Sequence, residues 1–240
     1  MLKKVAHITD LHLDEEFPFG NKISARRRFD IILASVRGNG INSIVCTGDI
    51  GVNEGIQYFF EQLEKMDLSI ALGNHDDFKK IEKHYSMGAD YSSRKIYKSE
   101  LQNDFKIIYL DSSSGNIDHK QFKWFEEEIK SSKPIVIFIH HPIIGVDLKV
   151  DEIGRLRNRE NLIKVLDELP NKIYIFCGHY HMEHALTHRN IHQFITPAVA
   201  FQIKKDRFKI KTTTTTSGYR IIQFDNNEII SDVKNIDIAK

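Results

Sequence analysis

Ile173-Tyr174-Ile175-Phe176-Cys177-Gly178-His179-Tyr180-His181 is a short apolar run followed by a glycine and two imidazoles at alternate positions. Such a run suits a strand buried on both faces, as in a parallel sheet covered by helices. The histidines then stand where that strand ends. Four other apolar runs end in the same way. Lys3–Ile8 leads to Asp10-Leu11-His12, and Ser43–Thr47 leads to Gly48-Asp49. Ser69–Leu72 leads to Gly73-Asn74-His75-Asp76, and Ile135–Ile139 leads to His140-His141. A further strand is expected at Lys106–Leu110.

Between these runs lie helical patterns. Ile23–Arg37 places Ile31, Ile32 and Val36 near one face, and Glu54–Lys65 follows Asn53 as a candidate N-cap. Asp118–Lys130 carries Phe122, Phe125 and Ile129 on one stripe, which is core packing. Arg155–Leu169 repeats the pattern with Leu162, Val165, Leu166 and Leu169, and Pro170 stops it. Strands alternating with helices predict an α/β fold with a largely parallel sheet. From about residue 190 the pattern changes to short strands alone: His192–Thr196, Ala198–Ile203, Tyr219–Phe224 and Glu228–Val233. These are expected to complete a second, more antiparallel sheet, with Asn226-Asn227 as a hairpin turn. Thr212–Thr216, ahead of Ser217-Gly218, reads as a loop. No linker divides the chain, so residues 1–240 are expected to form one domain.

Composition narrows the function classes. Lys+Arg 34 against Asp+Glu 33 gives a net charge of +1, which argues against stable nucleic-acid binding or an acidic membrane partner. No apolar run is long enough to span a bilayer. The first strand starts too early to leave room for a secretory leader ahead of Asp10, so a cytoplasmic protein is expected. The two cysteines, Cys46 and Cys177, fall near the ends of buried strands and read as core thiols, not a disulfide.

Ligands bind beyond the carboxyl ends of strands in open α/β sheets, so folding should gather the five motifs on one rim. Singly they are weak signals; as an ordered set of Asp, Asn and His side chains they suit two metal ions side by side. Imidazole and carboxylate without thiolate favour Mn, Fe, Co or Zn. The glycines before Asp49, Asn74 and His179 allow tight turns. His7 reads as a buried support, and His84 and His119 as surface residues. The spacing of His184, His188 and His192 does not make a third site, because Thr187, Arg189 and Asn190 argue against a helix there.

The order D-x-H, G-D, G-N-H-D, H-H-P, G-H-x-H across residues 10 to 181 resembles the calcineurin-like metallophosphoesterase superfamily. That resemblance implies a four-layer α/β/β/α sandwich with two mixed sheets and a dinuclear centre. It assigns Asp10, His12, Asp49 and His181 to one metal, and Asp49, Asn74, His140 and His179 to the other, with Asp49 bridging. His75 matches the family's non-ligand histidine that stabilises charge or protonates the leaving oxygen, and Asp76 would orient it. Two ions roughly 3.5–4 Å apart can generate hydroxide near neutral pH and clamp phosphoryl oxygens for in-line attack.

Departures from subfamily patterns prune the substrate. Ile50-Gly51-Val52-Asn53 after Asp49 is unlike the Ser/Thr protein phosphatases, and Val52 replaces the iron-binding Tyr of purple acid phosphatases. What remains is similar to bacterial class III 3′,5′-cyclic-nucleotide phosphodiesterases and glycerophosphodiesterases. Supporting features are Leu110-Asp111-Ser112, Gln121–Trp124, Leu156-Arg157 opening the helix after Pro142, and Thr196-Pro197 leading to Gln202. A small phosphodiester substrate and a possible homodimer follow from the resemblance. The alternatives are a broad-specificity phosphomono- or diesterase and, outside enzymes, a metal-bound interaction scaffold.

Overall fold

The computed structural model describes residues 4–19, 23–102, 104–226 and 228–238. The chain begins as a β/α repeat: β1 (Lys4–Ile8), α1 (Ile23–Gly38), β2 (Ser43–Cys46), α2 (Glu54–Leu63), β3 (Asp67–Ile70) and α3 (Phe78–Ile81). A small ribbon, β4 (Ala89–Asp90) with β5 (Lys95–Ile96), leads to β6 (Lys98–Gln102), β7 (Phe105–Leu110) and α4 (His119–Glu128). Then come β8 (Ile135–Ile139), α5 (Lys149–Gly154), α6 (Arg159–Asp167) and β9 (Ile173–Cys177). The remaining described elements are strands: β10 (His184–His188), β11 (Ile191–Ile195), β12 (Gln202–Ile203), β13 (Thr212–Thr213), β14 (Thr216–Asp225) and β15 (Glu228–Asp237).

Two mixed sheets result, ordered β15-β14-β1-β2-β3 and β10-β11-β9-β8-β7-β6. Their centres are parallel, and antiparallel strands extend the edges. Three cores show how they stack. One joins both sheets directly, through Val5, Val45 and Ile222 from the first against Ile107, Phe138 and Phe176 from the second. The other two lie on the outer faces, under Phe29 and Phe59 of α1 and α2, and under Phe125 and Leu162 of α4 and α6. Because a strand turns alternate side chains to opposite faces, each central strand feeds two cores. That explains why β8 and β9 are continuously apolar. The layers are therefore α/β/β/α, as the resemblance implied.

The structure corrects several local expectations. The strands after residue 190 do not all complete the second sheet: β11 joins it beside β9, but β14 and β15 extend the first sheet, and β12 and β13 form a small ribbon of their own. Lys3 and Asn227, which belonged to an expected strand and turn, lie outside the described residues; Asn226 turns with a positive φ of 41°. Asn53 precedes α2 but makes no side-chain capping bond, whereas Asp118 caps α4 by accepting from the Gln121 N–H at 2.9 Å. Thr212 and Thr213 pair with Ile203 and Gln202, and Thr216 already belongs to β14.

Two differences have a direct bearing on function. Ala198–Phe201 is not strand; its N–H groups bond to the loop beyond β1 instead, Val199 to the Thr9 carbonyl and Ala200 to that of Asp10, both at 3.0 Å. The expected helix Arg155–Leu169 is shortened to α6, which starts only at Arg159; α5 precedes it as a separate helix, with Arg155 extended and Leu156 buried between the two. Leu156-Arg157 therefore opens no helix. The gap leaves the Gly154 carbonyl uncommitted to a helical ladder, and His179 takes it.

Candidate metal centre

Five loops leave the carboxyl ends of β1, β2, β3, β8 and β9 and are stitched to one another by hydrogen bonds. Leu11 and His12 donate their N–H groups to the Asp49 carbonyl, both at 2.9 Å, and the Gly178 N–H donates to the His140 carbonyl at 2.9 Å. The His179 N–H donates to the Asp10 carboxylate at 3.0 Å. To bring side chains back over the sheets, Asp10, His12, Asp49, His179 and His181 all adopt positive φ, between 46° and 67°. Gly48 does too, at 90°, and a Cβ on it would lie 2.1 Å from the Gly73 nitrogen. Gly178 serves close approach instead, since a Cβ there would meet Thr9 Oγ1 at 2.0 Å.

The motif side chains meet as two donor groups, Asp10–His12–His181 and Asp49–His140–His179, with the ligand atoms of each group within 4.8 Å of one another. His12 Nε2 faces His181 Nε2 at 3.2 Å, and His140 Nε2 faces His179 Nδ1 at 3.1 Å. Asp49 Oδ2 stands between the groups, 3.3 Å from His140 Nε2 and 3.8 Å from His12 Nε2. Asn74 lines the same cavity, of about 240 Å³, beside His75 and Asp49. His141 is turned elsewhere, with Nδ1 2.9 Å from Ser112 Oγ. Of the adjacent histidines, only His140 joins a donor group.

The outer ring nitrogens decide whether this set fits cations. His140 Nδ1 donates to the Thr47 carbonyl at 2.7 Å, His179 Nε2 to the Gly154 carbonyl at 2.8 Å and His181 Nδ1 to the Phe201 carbonyl at 3.0 Å. His12 Nδ1 lies 3.0 Å from Glu15 Oε2. A carbonyl can only accept, so each of the first three rings must carry its proton outward, and in the neutral form its lone pair points inward. Pairs of lone pairs about 3 Å apart repel unless a cation or a proton lies between them. The donor set thus fits two divalent ions, each ring being fixed by an outer partner in the way metal-bound histidines are.

Charges in the cluster agree. Burial resists ionisation of Asp10 and Asp49, yet His181 beside Asp10 and His140 beside Asp49 outweigh it and hold both carboxyls below their usual range. Burial likewise opposes a charged His140, but Asp49 and Asp10 push it up to about 9, whereas burial brings His179 down to about 4. His7 supports the site from beneath. It bridges Thr47 Oγ1 at 2.8 Å and Thr196 Oγ1 at 2.7 Å, and burial lowers it to about 3.

His75 and Asp76 divide differently from the expectation. The Asp76 carboxylate does not orient the ring; it accepts three main-chain N–H groups, from Asp49, Ile50 and Gly73, all at 2.8 Å. It therefore ties the loop after β2 to the loop after β3. His75 instead has Nδ1 3.3 Å from Glu15 Oε2, a contact that pushes it up to about 9. Nothing in the acidic run Asp14-Glu15-Glu16 singles Glu15 out. Asp76→Ala would orphan three N–H groups on buried backbone, at about 1–3 kcal/mol each. We expect a loss of about 3 kcal/mol or more in urea unfolding, and an unchanged midpoint would contradict this role.

Residues 3–183 match the calcineurin-like phosphoesterase family. The chain is 25% identical over 231 residues to a probable cyclic nucleotide phosphodiesterase of Fibrobacter succinogenes, covering 93% of this chain and 90% of that relative. It is 24% identical over 238 residues to the 3′,5′-cyclic adenosine monophosphate phosphodiesterase of Escherichia coli K12, covering 92% and 84%. In fold it is similar to a dimetal phosphatase from Danio rerio, with a TM-score of 0.75 at 12% identity over 98% of both chains. The family match runs through all five motif loops, from Asp10 to His181, and the chain is accordingly a phosphoric ester hydrolase that belongs to the calcineurin-like phosphoesterase family.

Proposed function

We propose that this chain is a two-metal phosphodiesterase for small phosphodiesters, with 3′,5′-cyclic nucleotides as its substrate class. The observation that carries the reading is the pair of donor groups flanking Asp49, with imidazole lone pairs turned inward. Asp10, His12, Asp49 and His181 would hold one ion, and Asp49, Asn74, His140 and His179 the other. Mn, Fe, Zn and Co all suit such ligands. When bound, two such ions supply an activated water nucleophile and positive charge for the phosphoryl oxygens. His75, on the rim of the cavity, donates a proton to the departing oxygen, and Glu15 holds its ring in place. The names of the relatives support the substrate class. A cytoplasmic location belongs to the same reading, supported by two unpaired, buried thiols in Cys46 and Cys177.

Purified protein loaded with Mn²⁺ is expected to hydrolyse bis(p-nitrophenyl) phosphate. On a substrate panel, kcat/KM for 3′,5′-cyclic AMP should exceed that for glycerophosphodiesters at least tenfold. The reverse order would make the chain a glycerophosphodiesterase. Inactivity with Mn²⁺, Fe²⁺, Co²⁺ and Zn²⁺ alike would sink the phosphodiesterase reading.

A further inference from the structure

The cavity beside the donor groups is not polar throughout. Next to the metal-ligand side chains it is lined by Phe17, Phe201 and Ile203. Phe201 is 5% exposed, and its ring lies 4.2 Å from that of His181 while its carbonyl receives the His181 N–H. Its position is thus tied to that of a ligand. Phe17 is the opposite case: 68% exposed, it stands edge-on to Phe201 with ring centroids 5.6 Å apart and planes at 90°. A single exposed phenylalanine needs no explanation. This one lines a cavity that also contains the reacting centre, and two further apolar side chains continue its surface. Polar groups that fix one end of a ligand, with an apolar wall for the rest, is the usual composition of a small-molecule site.

We propose that Phe17, braced by Phe201 and Ile203, forms a subsite for a planar aromatic substituent of the phosphodiester, either the base of a nucleotide or an aryl group. The inference rests on the diesterase reading above and adds what that reading leaves open, namely the part of the substrate that the ions do not touch. Stacking on a phenyl face uses the π-surface that every base has, so this subsite favours an aromatic group over an aliphatic one without distinguishing one base from another. The opposing consequence is that diesters bearing only small polar alcohols, such as glycerol, leave the wall uncovered.

Two esters with the same leaving group isolate the effect: bis(p-nitrophenyl) phosphate, with a second ring, and ethyl p-nitrophenyl phosphate, without it. Wild-type enzyme with Mn²⁺ should favour the two-ring ester, mostly through KM. Phe17→Ala is expected to cut the ratio of their kcat/KM values about tenfold, the scale of one base–aromatic stack. Phe17→Trp should preserve or raise it. A ratio unchanged in Phe17→Ala, with turnover retained, would overturn the subsite while leaving the diesterase reading intact. If neither ester is hydrolysed by the wild type, the diesterase reading fails and the subsite falls with it. Turnover of 3′,5′-cyclic AMP is scored separately and bears only on the choice of nucleotide.

Discussion

Asp49→Asn protein is expected to retain at most one divalent ion per chain and to lose more than about a hundredfold in kcat. The Asp49 carboxylate is placed within reach of both donor groups, with Oδ2 3.3 Å from His140 Nε2 and 3.8 Å from His12 Nε2, while Asp10 Oδ1 lies 3.3 Å from His181 Nε2 and 3.9 Å from His140 Nε2. Replacing a partner outside the coordination sphere typically lowers metal affinity or activity by about 10–100-fold. A ligand shared by both ions, the role proposed for Asp49, should exceed that. The amide keeps the side-chain shape and an oxygen to accept the His75 N–H, now 2.9 Å from Asp49 Oδ1, so the loops should stay folded. The charge is what disappears. Metal content by elemental analysis, read beside circular dichroism, tests this directly; two ions retained with wild-type turnover would remove Asp49 from its bridging position.

The second large effect is expected at His75, and it should depend on the leaving group. Positioned general acids contribute about 10²–10⁴ in rate, and they matter most where the departing oxygen is strongly basic. His75→Ala should therefore lower kcat by about 10²–10³ on substrates that release an alkoxide, such as cyclic nucleotides. On p-nitrophenyl esters, whose leaving group needs little protonation, the loss should be within about tenfold. Metal content should not change, because the half-exposed ring belongs to neither donor group around Asp49, clustering instead with Glu15 and His12. Glu15 contacts His75 and also supports His12, whose pKa it helps to raise against the effect of burial. A His75 variant that slows both substrate types equally would make the residue structural or electrostatic, not an acid.

Much of this architecture could be read in advance, for a physical reason. Strands buried between two cores are apolar almost throughout, so β8 and β9 announce themselves, and so do the polar motifs that follow them. The clustering of Asp10, His12, Asp49, His140, His179 and His181 was legible because chemistry restricts which side chains could hold such ions. The remainder depends on contacts without a local signature. β14 could pair with an edge of either sheet, since the alternation of a strand fixes its faces and not its neighbour. Glu15 resembles any solvated acid until the loop folds it under His12. The gap before α6 accompanies a long-range bond between Gly154 and His179 that helical periodicity cannot report. Phe201 fell in a stretch rich in strand formers, yet its backbone serves His181 and its ring serves the cavity wall.

The five left-handed positions in the centre carry a thermodynamic implication. Asp10, His12, Asp49, His179 and His181 each hold a conformation that glycine would adopt with less strain, by about 1 kcal/mol or more per residue. Summed, that is a sizeable fraction of the net stability of an ordinary domain. A chain selected for durability alone would drift toward glycine at these sites and lose its chemistry in doing so. Under the proposed metal-binding role these five side chains cannot be given up for that gain, so thermostable variants of this protein are better sought in its helices than around its rim.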